Sequence, residues 1–146
     1  MHKKGFTLIE LLIVIALIAV IAGGVIIALN PARQFAAARN SQRWSHVSAI
    51  INTIQQNTAS NQGIFTCAAG AIPTVATTMA STGGYDICGC LVPNFTAALP
   101  VDPSTGSYTS CTTYATGYTV VRDATTGRIT VAAPGAELTA TISVTQ

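Results

Sequence analysis

Charge is scarce in this chain. Of 146 residues, seven are Lys or Arg and five are Asp or Glu, whereas a typical soluble domain is roughly one quarter charged. The formal net charge of +2 is too small for a polyanion-binding domain. So few charges also exclude a solvated, disordered chain. An ordinary cytosolic enzyme is disfavoured, because a soluble surface is usually built from charges. Histidine is nearly absent: His2 and His46 are the full complement. The acids Asp86, Asp102, Asp123 and Glu137 are scattered and show no metal-ligand spacing. The sequence therefore predicts no catalytic residue, no cofactor and no metal site. Convergence of Asp102, Asp123 and Glu137 on calcium would call for a calcium loop motif; none accompanies them, and Asp102-Pro103 and Asp123 read first as turn residues.

Apolar residues are what the chain has, at 49% of the total. Leu11 to Leu29 holds no polar side chain. At 1.5 Å per residue that run makes a helix of about 28 Å, and about 36 Å if extended back to Phe6, enough to cross a hydrocarbon core of roughly 30 Å. A buried core helix seldom needs so long an uncharged run. A cleaved secretory signal is the rival, but its apolar region is usually about 7–15 residues. Lys3 and Lys4 precede the run and mark a cytoplasmic flank, with the rest of the chain outside the cytoplasm.

Beyond Leu29 the periodicity changes. Asn30-Pro31 kinks or restarts the helix, with Pro31 suited to a first turn. Phe35, Ala38, Trp44, Val47, Ile50, Ile51 and Ile54 then recur at helical spacing, while Arg39, Arg43 and His46 fall toward the other side. This predicts an amphipathic helix ending near Ser60, with Gly63 as its stop. Residues 6 to about 60 are expected to form one long helix. From residue 64 the chain is rich in Thr, Ser, Gly and Ala. Strands are predicted at Tyr118–Arg122, Arg128–Ala133 and Leu138–Val144, the first two joined by the turn Asp123–Gly127. Residues 66–117 are poorly patterned. The expected fold is α+β: a long N-terminal helix, its first half transmembrane, packed against a small antiparallel sheet. Its parts are a leader 1–5, a membrane half 6–29, an amphipathic half 30–62 and an outer globular region 63–146.

Glu10 is the chemically informative residue. A carboxylate inside an apolar helix is costly and functional by default, unless it sits at headgroup level. It calls for a cationic partner. A cut after Gly5 would give Phe6 a new α-amine, mostly charged at neutral pH. A neighbouring subunit shifted along the helix axis would set that amine against Glu10, where neither group is solvated and the pair fixes register.

The stretch Lys3-Lys4-Gly5-Phe6-Thr7-Leu8-Ile9-Glu10-Leu11-Leu12 resembles the processing site of type IV pilins and type II secretion pseudopilins: a short basic leader ending in glycine, then a methylated residue, then a glutamate four positions on. The resemblance runs from Lys3 and fades into generic apolar helix by Leu29. It implies that a prepilin peptidase cuts between Gly5 and Phe6 and N-methylates Phe6, removing His2 with the leader. It also implies that Glu10 guides assembly. Monomers would wait in the inner membrane as single-pass proteins, in contact with lipid. An assembly ATPase and an inner-membrane platform protein would extract them into a helical homopolymer, a surface pilus or a periplasmic pseudopilus. Gly23, Gly24 and Pro31 fit a helix that loosens on entering the filament, or one that packs closely.

Four cysteines, Cys67, Cys88, Cys90 and Cys111, all lie in the outer region and suggest disulfides, with three connectivities available. Cys88-Gly89-Cys90 is an awkward self-pair, so each reaches elsewhere, with Cys67 and Cys111 the natural partners. A four-thiolate zinc site would call for two wider Cys pairs. Asn94-Phe95-Thr96 has the spelling of an N-glycosylation acceptor, a triplet that often arises by chance. Arg33, Arg39 and Arg43 are placed to touch lipid headgroups or a subunit contact, and give a nucleic-acid partner little support. The expected function is a structural subunit of a type IV pilus. The alternatives are a pseudopilin of a type II secretion system and, from another class, a membrane-anchored extracytoplasmic binding module.

Overall fold

The computed structural model describes residues 5–146. Met1, His2, Lys3 and Lys4, on which most of the expected leader falls, lie outside the described residues. Two compact units divide the chain, one ending at Phe35 and the other running from Ala36 to Gln146.

In the first unit the apolar run forms α1, Leu8–Leu29. Its 22 residues span about 33 Å, and it is long and apolar enough to cross a membrane. The helix starts at Leu8 rather than Phe6, because Thr7 takes the extended N-cap conformation. The expected single helix is interrupted at Asn30, which is left-handed at φ 42° and ψ 77°. Pro31 disfavours the α conformation in the residue before it, and Asn tolerates the left-handed region better than most. The Asn30 side chain then accepts the Arg33 N–H at 3.3 Å. Asn30 thus ends one helix and caps the next, α2, Pro31–Ser60. Restart rather than kink is the outcome, with Pro31 in a first turn.

The second unit packs most of α2 against an antiparallel sheet. The buried α2 residues are Ala36, Asn40, Arg43, Val47, Ile50, Ile51, Ile54 and Asn57. Apart from Ile51 they follow alternating steps of four and three, the stripe of a one-sided helix. This corrects the expected face. Trp44 is 45% exposed while Arg43 is 1% exposed. Phe35, in the first unit, is also exposed. Sequence periodicity placed the stripe by hydrophobicity, whereas ion pairing and amide bonding draw polar residues into it.

The centre of the sheet is β3, Thr113–Arg122. Its buried residues Tyr114, Thr116, Tyr118 and Val120 alternate with less buried neighbours, as a strand with one covered face should. The strand β1, Thr77–Ala80, runs antiparallel along one edge of β3. The other edge pairs first with β2, Ser107–Ser110, and then with β4, Ile129–Ala132. The strand β5, Ser143–Thr145, closes the order beyond β4. The β3–β4 hairpin forms as expected: Asp123 Oδ1 accepts the N–H groups of Thr125 and Thr126, and Gly127 has φ +72°. The last expected strand is shorter than predicted. Leu138 and Thr139 have φ near 55°, which no strand allows, and they turn the chain before pairing resumes at Ser143.

The weakly patterned middle contributes β1, β2 and a short helix, α3, Cys88–Leu91. Two disulfides order it, Cys67–Cys90 and Cys88–Cys111. Each member of the Cys-Gly-Cys pair therefore reaches one of the two outer cysteines. Asn57, at the end of α2, bonds the carbonyls of Thr66 and Cys90 and accepts the Thr66 N–H. The core joins Val47, Ile50, Ile51 and Ile54 of α2 to Met79, Tyr118, Val120, Val131 and Ile142 from the sheet side.

Candidate processing and assembly site

The candidate site begins at the first turn of α1. Thr7 and Glu10 form a capping box. The Thr7 hydroxyl oxygen accepts the Glu10 N–H at 3.3 Å, and Glu10 Oε2 accepts the Thr7 N–H and O–H at 3.4 Å each. The carboxylate also lies at the positive end of the helix dipole, where a negative charge is favoured. Phe6 stands just outside the helix and is 83% exposed. Sequence reasoning took Glu10 as an unpaired charge and missed Thr7, although Thr7-x-x-Glu10 is the spelling of a capping box.

The large α1 side chains from Leu8 to Ile26 are exposed, each at 47% or more. So continuous an apolar surface needs lipid or another protein to cover it. A Cβ added at Gly5, Gly23 or Gly24 would meet nothing within 4 Å. No contact within the described residues therefore requires these glycines.

The second cluster of chemistry lies on α2. The buried Arg43 uses its whole guanidinium. Its Nε donates to Asp102 Oδ2 at 2.6 Å, and Nη2 donates to Asp102 Oδ1 at 3.2 Å and to Ser104 Oγ at 2.8 Å. Its Nη1 donates to Asn40 Oδ1 at 3.0 Å and to Glu137 Oε2 at 2.9 Å. Arg39 adds a two-pronged pair to Glu137, both contacts at 2.7 Å. The Asn40 side chain also bonds the Glu137 backbone in both directions. These charge-assisted contacts fasten two loops to the helix. Burial alone would raise Asp102, but Arg43 and the N–H groups of Ser104 and Thr105 hold it at about 2. Arg39 and then Arg43 hold Glu137 at about 2 as well. Asp102 in turn raises Arg43 above its ordinary value against the effect of burial.

Of the three acids considered for calcium, two come together. Asp102 and Glu137 meet at Arg43, while Asp123 caps the β3–β4 turn. The two that meet neutralise an arginine. Among the described residues no group of three His, Cys, Asp or Glu side chains is placed to hold a metal. Arg43 also leaves the surface role expected for it, being an internal cation. Gly117 makes this arrangement fit. It has φ +77°, and a Cβ there would lie 2.8 Å from that of Asp102. His46 Nδ1 lies 2.9 Å from the hydroxyl of buried Tyr118, an internal polar contact.

No curated protein and no solved structure matches the chain. Residues 1–26 match the family described as the prokaryotic N-terminal methylation motif. That match covers the stretch in which glycine and phenylalanine precede the exposed apolar helix that carries the capped glutamate in its first turn. Over these N-terminal residues the chain is similar to proteins bearing that motif, and the helix that follows is long and apolar enough to cross a membrane.

Proposed function

We propose that this chain is a structural subunit of a type IV pilus, cut after Gly5 and N-methylated at Phe6. A prepilin peptidase would perform both steps. An assembly ATPase and a platform protein in the inner membrane would drive polymerisation. Before assembly α1 is held in lipid, with the second unit outside the cytoplasm. After assembly α1 packs against other copies in the filament core. Gly23 and Gly24 serve there, giving close approach or a looser helix, and Pro31 marks the restart.

One observation carries this reading: a capped carboxylate, Glu10, in the first turn of an apolar helix whose large side chains from Leu8 to Ile26 are exposed. The capping box accounts for a monomer that tolerates Glu10 in the membrane. Among the described residues its bonds go to Oε2, which leaves Oε1 to accept from the Phe6 amine of an adjoining copy. A pilus is favoured over a calcium-binding pseudopilus because Asp102 and Glu137 are already bound to arginines. A membrane-anchored binding module would need neither the cut nor Glu10.

Mass spectrometry of the mature chain tests the processing step, with N-methyl-Phe6 expected as the first residue. An intact leader in cells with active peptidase would refute it. Glu10→Leu is expected to leave processed monomer in the membrane while filament yield collapses. Normal filaments from that variant would sink the pairing.

A further inference from the structure

Asn94-Phe95-Thr96 is a motif that the proposed filament leaves unused. Among the chain's asparagines only Asn94 is followed two positions on by a hydroxyl residue. The spelling is weak by itself, because a fold can bury the asparagine or lock the triplet in a helix or strand. Here it does neither. The triplet lies in the turn that follows α3, outside every helix and strand. Asn94 is exposed, and among the described residues no hydrogen bond engages its carboxamide.

The hydrogen bonds of the triplet are short-range. The N–H groups of Phe95 and Thr96 donate to the Leu91 carbonyl, at 2.8 and 3.2 Å. The Thr96 hydroxyl donates to the Ala98 carbonyl at 2.9 Å. All three bonds stay within residues 91–98. The turn can therefore open without breaking α2 or a sheet pairing, the property that lets a surface loop enter an enzyme's site. Beside Asn94, at the C-terminal end of α2, is an open cleft of about 400 Å³. Ser60, Asn61, Thr66, Gly89 and Phe95 help to line it, and none of its lining side chains is charged. Hydroxyl and carboxamide groups there donate and accept as sugar hydroxyls require.

We propose that Asn94 is an N-glycosylation acceptor, loaded outside the cytoplasm from a glycan carried on a polyprenyl diphosphate. Asn94 Nδ2 bonds to the anomeric carbon as the bond from that carbon to the diphosphate oxygen breaks. One amide proton passes to the transferase's base and the lipid diphosphate leaves, so the step needs no oxidant or reductant. The Thr96 hydroxyl is the second point that the transferase reads, free for it once the single bond to Ala98 opens. The cleft gives the first sugars room against uncharged polar side chains. A glycan there supplies the hydration that a surface poor in charge lacks. The site rests on the proposed export of the second unit, and not on the cut after Gly5 or on Glu10.

Peptide mapping by mass spectrometry tests this on the full chain from the cells that make it, with the state of the cysteines recorded before reduction. The peptide spanning Asn94 should carry an added glycan mass and release sugar fragment ions. Asn94→Gln and Thr96→Ala should each abolish that mass, while Thr96→Ser keeps it. The two Thr96 variants separate an acceptor triplet from a merely exposed amide, because Asn94 is intact in both. Asn94→Gln removes an exposed group without partners, so monomer level and both disulfides should be unchanged. A bare Asn94 peptide in the unsubstituted chain overturns the proposal, and so does an added mass that survives Thr96→Ala. With both disulfides formed, a bare Asn94 strikes the acceptor alone. With the cysteines reduced, it also strikes the export on which the proposed function depends.

Discussion

Arg43 offers the sharpest test of how the second unit is held together. It is 1% exposed and Asp102 is likewise 1% exposed. Five hydrogen bonds leave the guanidinium for Asp102, Ser104, Asn40 and Glu137. Arg43→Met keeps the length and apolar stem but strips Asp102 of its cation. A buried carboxylate left alone in this way costs about 3–5 kcal/mol. Domains are stable by only about 5–15 kcal/mol, so the variant forfeits a large share of the margin. For a unit of this size each kcal/mol moves the midpoint by roughly 4 °C or more, giving a fall of at least about 12 °C. The full chain in detergent, disulfides intact, would be followed by near-ultraviolet circular dichroism through thermal and urea unfolding. Asp102→Asn added to Arg43→Met should restore part of the loss, because the stranded charge is gone. The two substitutions should then be non-additive by about 1–3 kcal/mol. An Arg43→Met protein within about 0.5 kcal/mol of the parent, the range of ordinary surface changes, would refute the account.

Acid should act through the same pair. Asp102 is held at about 2, below its ordinary 3.8. A depressed carboxylate contributes stability that is complete above the unfolded value and lost as pH falls through the folded one. About 2 kcal/mol should disappear between roughly pH 5 and pH 2, and Asp102→Asn should flatten that limb of a stability–pH curve. Thr7→Val removes the cap and two of the Glu10 contacts, at about 1 kcal/mol; faster amide exchange over residues 8–11 in micelles is expected, and unchanged protection would count against the capping box. Replacing Cys88 and Cys111 together by Ser opens a loop of sequence separation 23 and should cost about 3 kcal/mol, read as a lower urea midpoint with the Cys67–Cys90 bridge intact. Sheared filaments should keep their length in 1 M NaCl, where exposed charges more than about 3 Å apart are screened, because so little of the assembly rests on exposed charge; dissolution in salt would contradict this.

Some of the fold was legible because one local signal dominated. The run Leu11–Leu29 admits no other reading than a long apolar helix, and Asp123 with Gly127 spells a turn that the backbone then makes. The first-turn chemistry was half legible: Glu10 stood out by its cost, while its partner Thr7 was visible in the same four residues and was passed over. The middle was illegible for a different reason. The short β1, β2 and α3 depend on Asn57, on two crossing disulfides and on pairing with both edges of β3, all contacts distant in sequence. Leu138 was misread because Leu138–Val144 has strand composition, and nothing local says that Glu137 will be tied to α2 and the chain forced to turn.

The face of α2 carries the wider lesson about charge in this protein. A hydrophobicity pattern rejects an arginine from a buried stripe, yet positions 36, 40, 43, 47, 50, 54 and 57 form one stripe that includes Arg43 and two asparagines. Arg43 is admitted because two carboxylates and two neutral side chains satisfy it. The same pairing consumes most of the charge that the second unit owns. Of its four acids, Asp102 and Glu137 neutralise Arg43 and Arg39, Asp123 caps its own turn, and Asp86 accepts from the Tyr114 hydroxyl. The remaining charged side chains of the second unit are Arg122 and Arg128. Low charge in the sequence argues against an ordinary cytosolic enzyme and against a polyanion binder. In the folded unit that scarcity has a specific form: the ion pairs of Arg39 and Arg43 hold its loops to α2, and among the described residues Arg122 and Arg128 belong to no salt bridge.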